Sequence, residues 1–308
     1  MNVVSLFSGA GGLDLGFIKA GHKIVWANDN FPDAVATYRK NIGDHIICED
    51  IYNIDITEIP DCDIVIGGFP CQGFSVANTK RNVDDQRNKL YQMLVKVIAE
   101  KKPKFFVAEN VKGILSLAKG EVITMIIKDF ESLGYKVDKK VLNAADYGVP
   151  QLRNRVIITG VREDLDFTYE YPTPTHSELG ENGLKRWVSV SDALKSLPDP
   201  DLPNNIPNHE YSKFKLKFNG YLGNRAINPD RPAPTVTARG DDKGGVVVLH
   251  HPNNMRRMTC RELASVQSFP IDFEFIGNKS SIYRQIGNAV PPLLGMAVAK
   301  QFNNYKGE

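Results

Sequence analysis

The stretch "GGFPCQGFS", Gly67 to Ser75, sets a cysteine into a turn directly after the apolar run "CDIVIGG". A thiolate is the reactive form of cysteine and a strong nucleophile. Cys71 sits where a strand should end, in a turn shaped by Pro70 and Gln72-Gly73, with no second cysteine at CxxC spacing. Ligands of open α/β sheets bind at the carboxyl ends of strands. At this level Cys71 reads either as a nucleophile or as a packed thiol. Cys48 and Cys62 read as small hydrophobes inside strands.

Other groups with chemical use recur at strand ends. "LFSGAGGLDLGF" places Gly9, Gly11 and Gly12 after the first strand, and Asp29 ends the second. Glycines admit close approach of backbone to a ligand, and a strand-end carboxylate can take ribose hydroxyls. The dinucleotide fingerprint needs a glycine where Asp14 stands, so a nucleoside cofactor without a pyrophosphate fits better, with S-adenosylmethionine the candidate. A plain tight turn is the alternative. Glu109 ends "KFFVAE" and could pass a proton or hydrogen bond to a ring nitrogen, or be a solvated strand-end acid. Arg153 and Arg155 stand two apart entering a strand, hence on one face, to hold phosphate, orient an acid or line a charged edge. In "YRQIGNAVPP", Gly287 and Asn288 read as a further backbone-rich turn before a helix.

The elements that must carry these groups alternate. Short β-rich runs ("NVVSLF", "KIVWAN", "HIIC", "DIVIGG", "KFFVAE") are interleaved with helical patterns such as "NKLYQMLVKVIAEKK" and "EVITMIIKDFESLG". This order predicts an α/β fold with a doubly wound, mostly parallel sheet. "YKVDKKVLNAADYGV" and "RVIITGVR" add two strands. Nine of the 18 prolines then fall between residues 165 and 235, where helical periodicity fades. That length is too great for a loop in a compact domain and predicts a second, irregular domain. Helical pattern returns in "TCRELASVQSF" and "PPLLGMAVAKQFN".

Composition narrows the class. The chain has 308 residues, net charge +2 and four cysteines without zinc-site spacing, so neither a metal nor a disulfide framework is expected. No apolar run is long enough for a membrane span, and "MNVVSLF" breaks at once into Ser-Gly-Ala-Gly-Gly, unlike a signal peptide. A cytoplasmic, nucleoid-associated location is expected, with no membrane partner.

Taken in order, "LFSGAGGLDLGF", "AND", "EDI", "GGFPCQGFS", "DQRNKL", "AENVKG", "LNAADYGVPQLRNRV", "MTCRELASVQSFP" and "IGNAVPP" resemble the DNA (cytosine-5)-methyltransferases of bacterial restriction-modification systems. The resemblance covers most of the chain. It implies an S-adenosylmethionine-dependent, Rossmann-like catalytic domain over 1–165, completed by 285–308, and a target-recognition domain over 166–284. It further implies Cys71 as nucleophile, Glu109 as the acid that engages cytosine, and Arg153 and Arg155 as supporting arginines. Cofactor contacts carry over to Phe7, Gly9, Gly11, Gly12, Asp29, Asp50, Ile51 and Asn288. The implied reaction methylates carbon 5 of a flipped-out cytosine in duplex DNA, by a monomer whose functional counterpart would be a cognate restriction endonuclease.

Six basic residues (Lys213, Lys215, Lys217, Arg225, Arg231, Arg239) face one acid, Asp230, between Tyr211 and Arg239, as phosphate contact favours. "TVTARGDDKGG" is the candidate groove loop. Departures from the family's pattern are Asp29 where Glu is frequent, Asn88 where Gly is usual, and Ser5 where Asp often stands. An RNA cytosine methyltransferase and a catalytically silent DNA-binding regulator are the competing readings. An intact Cys71, Glu109 and arginine set argues against the second.

Overall fold

The computed structural model describes residues 1–69, 89–210, 227–238, 249–253 and 256–307. The first half alternates strand and helix: β1 (Asn2–Leu6), α1 (Gly12–Lys19), β2 (Lys23–Asp29), α2 (Pro32–Asn41), β3 (Ile46–Cys48), β4 (Ile64–Gly67), α3 (Lys89–Lys101), β5 (Phe105–Val111) and α4 (Glu121–Glu131). β6 (Tyr135–Asn143) and β7 (Asn154–Arg162) complete a seven-stranded sheet of order β3-β2-β1-β4-β5-β7-β6. Only β7 runs against its neighbours. The short 144–153 connection explains the reversal: it returns the chain directly beside β6, whereas a parallel partner needs a long crossover.

Side chains alternate along the central strands, and both sheet faces are covered. Val3, Ile64, Ile66, Phe105 and Val107 pack with Phe17 of α1 and with Leu294 and Val298 of the last helix. Val4, Leu6, Val65, Phe106 and Ala108 meet Leu94, Val97 and Ile98 of α3 and Ile126 and Phe130 of α4. The strand order reverses between β1 and β4, so their carboxyl ends diverge and open a crevice there. No helix among the described residues is long and apolar enough to cross a membrane.

Among the described residues from 166 to 259, regular structure is a two-residue strand pair (His176–Ser177 with Lys185–Arg186) and α5 (Val190–Leu194). Then come α6 (Cys260–Val266), α7 (Lys279–Asn288) and α8 (Pro292–Lys300). A third apolar cluster joins Val190, Ile227, Val236, Leu263, Phe269 and Ile286, and it includes Ala10 of the glycine loop and Ala289.

Three expectations change. Gly287 and Asn288 do not form a turn before a helix; they are the last residues of α7, whose start is capped by the Asn278 side chain accepting from the Ser281 amide at 2.9 Å. The expected division at 284/285 therefore falls inside α7. Cys48 is exposed, because β3 is an edge strand with its outer residues in solvent.

Candidate active site

A cavity of about 820 Å³ opens at the β1/β4 crevice, within the range of small-molecule sites. Its lining includes Phe7, Gly9, Gly12, Asp29, Asp50, Ile51, Glu109, Arg153, Arg155 and Asn288. Residues expected at both a cofactor site and a catalytic site thus share one space. Gly11, the residue that caps the start of α1, has φ 83, a left-handed conformation that favours glycine. Phe7 has φ 57, sparsely populated for an aromatic residue. Its neighbours hold it there: the Ser8 amide donates to the Asn28 carbonyl at 2.9 Å, and the Gly11 amide to the Ser8 carbonyl at 2.9 Å.

Asp29 has more work than the sequence implied. One carboxylate oxygen accepts from the Gly9 amide and the other from the Phe31 amide, both at 2.8 Å. The carboxylate staples the glycine loop to the end of β2, and Asp29 lines the cavity. Burial raises its pKa, and the two amide bonds oppose that rise. Asp50 caps the short helical turn Ile51–Asn53 by accepting from the Tyr52 amide at 3.2 Å, which sets buried Ile51 into the cavity wall. Arg284 lies over the Phe31 ring, 3.9 Å from its centroid, and both line the same cavity. This pairing joins α7 to the β2–α2 loop, and nothing in the sequence pattern pointed to it.

Glu109 and Arg155 form an ion pair at 2.7 Å, each 9% exposed. Burial raises the Glu109 pKa, against the lowering effect of Arg155 and Arg153. A carboxyl held in this way is suited to give a proton or hydrogen bond to a bound base. Glu109 also lies against the end of β4: a Cβ on Gly68 would sit 3.1 Å from Glu109 Oε2. The next carbonyl, Phe69 O, accepts from Asn110 Nδ2 at 3.0 Å. The chain is therefore held beside Glu109 up to two residues before Cys71, which itself lies outside the described residues. Among the three described cysteines, Cys62 and Cys260 have thiol pKa values pushed up to about 12 by burial, which makes them poor nucleophiles.

Arg153 and Arg155 share a site but not a partner. Arg153 donates to the carbonyls of Val236, Gly287 and Ala289 at 2.8, 2.9 and 3.0 Å and is 1% exposed. Of the expected DNA contacts, Arg231 is described; it pairs with Glu178 at 2.7 Å on the surface. Lys213, Lys215, Lys217, Arg225 and Arg239 lie outside the described residues. Residues 235–238 of the candidate groove loop reach the cavity wall.

One more group was hidden from spacing arguments. Asp14 is fully buried under the glycine loop and accepts from Ser5 Oγ at 2.8 Å and from the Tyr38 hydroxyl at 2.9 Å. The residue that breaks the dinucleotide fingerprint is thus the partner of the serine that departs from the family's pattern.

The sequence matches the family of C-5 cytosine-specific DNA methylases over residues 1–304. The chain belongs to this family. Among its relatives, the type II methyltransferase M.NgoFVII of Neisseria gonorrhoeae is 44% identical, over 97% of this chain and 85% of that one. M.BsuRI of Bacillus subtilis, also a type II methyltransferase, is 39% identical over 99% and 80%. Of solved structures, a prophage-encoded DNA modification methyltransferase (E. coli) aligns with TM-score 0.76 and 26% identity, over 99% of both chains. The S. pombe Dnmt2 methyltransferase aligns equally well, TM-score 0.76 over 99% and 100%, but at 19% identity it attests the fold alone. The protein is a C-5 cytosine DNA methyltransferase of restriction-modification type with a mostly parallel, Rossmann-like sheet.

Proposed function

We propose that this methyltransferase takes its methyl group from S-adenosylmethionine and acts on one cytosine of a specific duplex sequence, which it flips into the cavity. The carrying observation is that the Glu109–Arg155 pair and the Asp29-stapled glycine loop line one cavity. The cofactor half of that cavity fits a nucleoside: a glycine-rich wall, a strand-end carboxylate for ribose hydroxyls and the buried apolar Ile51. S-adenosylmethionine supplies an electrophilic methyl group. Phe7, Gly9, Gly11, Gly12, Asp29, Asp50, Ile51 and Asn288 would hold it.

Carbon 5 of cytosine is a weak nucleophile within an aromatic ring. The Cys71 thiolate adds to carbon 6 while Glu109 engages ring nitrogen 3, which turns carbon 5 into the nucleophilic end of an enamine. After methyl transfer the carbon-5 proton leaves, the cysteine–carbon bond breaks and aromaticity returns. Covalent catalysis divides one difficult step into easier ones. Arg155 orients Glu109 and keeps a cation beside it. Flipping the base costs a few kcal/mol of stacking and pairing, which contacts from the recognition region over 166–284 offset. A cognate endonuclease cutting the same sequence is the functional counterpart.

Duplex DNA carrying 5-fluorocytosine at the target tests the chemistry, because fluorine cannot leave as a proton does. The expected result is a denaturation-resistant adduct that needs S-adenosylmethionine and maps to Cys71. Absence of an adduct, with methylation intact on ordinary DNA, would exclude the covalent route. Methylation of folded RNA in preference to duplex DNA would overturn the substrate assignment.

A further inference from the structure

Beneath the glycine loop lies a buried carboxylate that the chemistry above does not use. Asp14, in the first turn of α1, is 0% exposed. One of its oxygens accepts from Ser5 Oγ at 2.8 Å, and Ser5 Oγ accepts in turn from Ser8 Oγ at 2.9 Å. Ser8 lines the cavity, so two hydroxyls in series join the carboxylate to the cavity wall. The other oxygen accepts from the Tyr38 hydroxyl at 2.9 Å, and that hydroxyl meets His45 Nε2 at 3.1 Å. Ser5 stands where the family's pattern often has an acid, and Asp14 returns a carboxylate to the same place.

What this carboxylate lacks is a cation. The titratable groups around it are Asp29 at the end of β2, Tyr38 of α2 and, behind Tyr38, His45 ahead of β3. Asp29 repels its charge, and burial holds Tyr38 and His45 toward their neutral forms. The Ala289–Val290 segment that packs on Gly12 brings no charge. Among the described residues, no Lys or Arg is paired with Asp14. Burial without a counter-charge favours the neutral carboxyl and pushes Asp14 up to about 6. The hydroxyl chain carries this charge state to the cavity, because each hydroxyl has a single proton to donate. With Asp14 ionised, Ser5 and Ser8 both donate toward it, and Ser8 Oγ keeps only acceptor capacity for a ligand. With Asp14 protonated, its own O–H can donate to Ser5, and the chain can reverse until Ser8 offers a donor instead. The ionised state therefore suits a cation, and the neutral state does not.

We propose that Asp14 is a positioning residue for the methyl donor: acting through Ser5 and Ser8, its carboxylate is the counter-charge over which the cationic cofactor binds, so that binding drives a proton from Asp14 to solvent. S-adenosylmethionine is a net cation, with a sulfonium and an ammonium against a single carboxylate. The inference rests on reading the cavity as the seat of that cofactor. Asp14 does not touch the ligand; Ser8 presents its charge at the cavity wall.

The test is calorimetry on the full chain, titrating S-adenosylmethionine at about pH 6 in two buffers of different ionisation enthalpy. The difference in binding heat between buffers counts the protons released. The expected result is release of about a third to a half of a proton per ligand, with affinity rising roughly 3- to 10-fold from about pH 5 to about pH 7. S-adenosylhomocysteine, which lacks the sulfonium charge, should release less; equal release with both ligands overturns the counter-charge role. Asp14→Asn keeps the shape of the side chain and should abolish both the release and the pH dependence. Release undiminished in Asp14→Asn overturns the proposal, and its loss in Asp29→Asn would then name Asp29 as the group that titrates. If Asp14→Asn does not melt cooperatively above the assay temperature, Tyr38→Phe decides. It takes one donor from the carboxylate, favours the neutral form and should move the release to higher pH. An unmoved release profile in Tyr38→Phe, or binding by wild type without proton release, overturns the proposal. A wild-type chain that binds no S-adenosylmethionine at any of these pH values overturns the underlying cofactor reading instead.

Discussion

Arg155 Nε lies 2.7 Å from Glu109 Oε1, between adjacent antiparallel strands β7 and β5, with both side chains almost wholly out of solvent. Removing one member of such a pair leaves an uncompensated buried charge, a loss of about 3–5 kcal/mol. Arg155→Ala should show it with a definite pH dependence. Burial already holds the Glu109 carboxyl above its ordinary value, and loss of Arg155 raises it further. The variant should therefore be closest to wild type at acid pH, where Glu109 is neutral, and lose stability as pH rises through the raised value. Urea denaturation at about pH 5 and about pH 8 measures this. Equal destabilisation at both would mean that the Glu109 charge is not what Arg155 compensates.

Glu109→Gln keeps the shape of the side chain and removes its proton chemistry. Methyl transfer should fall by about 10²- to 10⁴-fold, the usual contribution of a positioned acid or base. S-adenosylmethionine binding should survive. Turnover near the wild-type rate would remove Glu109 from the mechanism.

Asp29→Ala deprives the Gly9 and Phe31 amides of their acceptors and the proposed cofactor site of a carboxylate. Each hydrogen bond to a charged group contributes about 1.5–3 kcal/mol. Both thermal stability and S-adenosylmethionine affinity should drop, and Asp29→Asn, which keeps one acceptor oxygen, should fall between. Calorimetry showing unchanged affinity in Asp29→Ala would mean that the ribose is held elsewhere.

Asp14 should titrate within an ordinary working range. Burial is the main cause of its pKa being pushed up to about 6, against the lowering effect of the Ser5 and Tyr38 bonds. Because the folded value is raised, the contribution of Asp14 is complete below about pH 4 and lost as pH rises through 6, by a few kcal/mol at most. Asp14→Asn should therefore gain stability relative to wild type as pH rises from about 4 to about 6, and keep that gain unchanged at higher pH. A pH-independent difference between the two proteins would place the titration elsewhere.

Neutralising Lys213, Lys215 and Lys217 should weaken binding to all DNA. It should also flatten the salt dependence by up to roughly 0.9 per lost phosphate contact. Arg239→Ala should instead relax sequence preference at one position, with about 1–3 kcal/mol lost at the correct base. Methylation across single-base variants of the target site separates the two roles, and a reversed outcome exchanges them.

The sequence by itself determined the alternating βα order, the irregular stretch after residue 165 and the strand-end placement of the glycine loop and Glu109. Each of these is a local property: period-2 or 3.6-residue patterning, proline density, or a polar residue that terminates an apolar run. Only the tertiary structure decided which strand ends meet. The reversal of strand order between β1 and β4 brings the glycine loop and the end of β4 to one cavity, and that order is not written in any single element. The two arginines show the same limit. Spacing put Arg153 and Arg155 on one face, but Arg155 reaches Glu109 while Arg153 meets three carbonyls from residues 236, 287 and 289. Gln151 and Gln267 showed only as letters within longer blocks and Asp14 only as a break in the fingerprint, because a buried polar side chain gets its role from the partners that folding brings to it. Gln151 and Gln267 stand 116 residues apart, and only packing of the β6–β7 connection against α6 and α7 makes them neighbours.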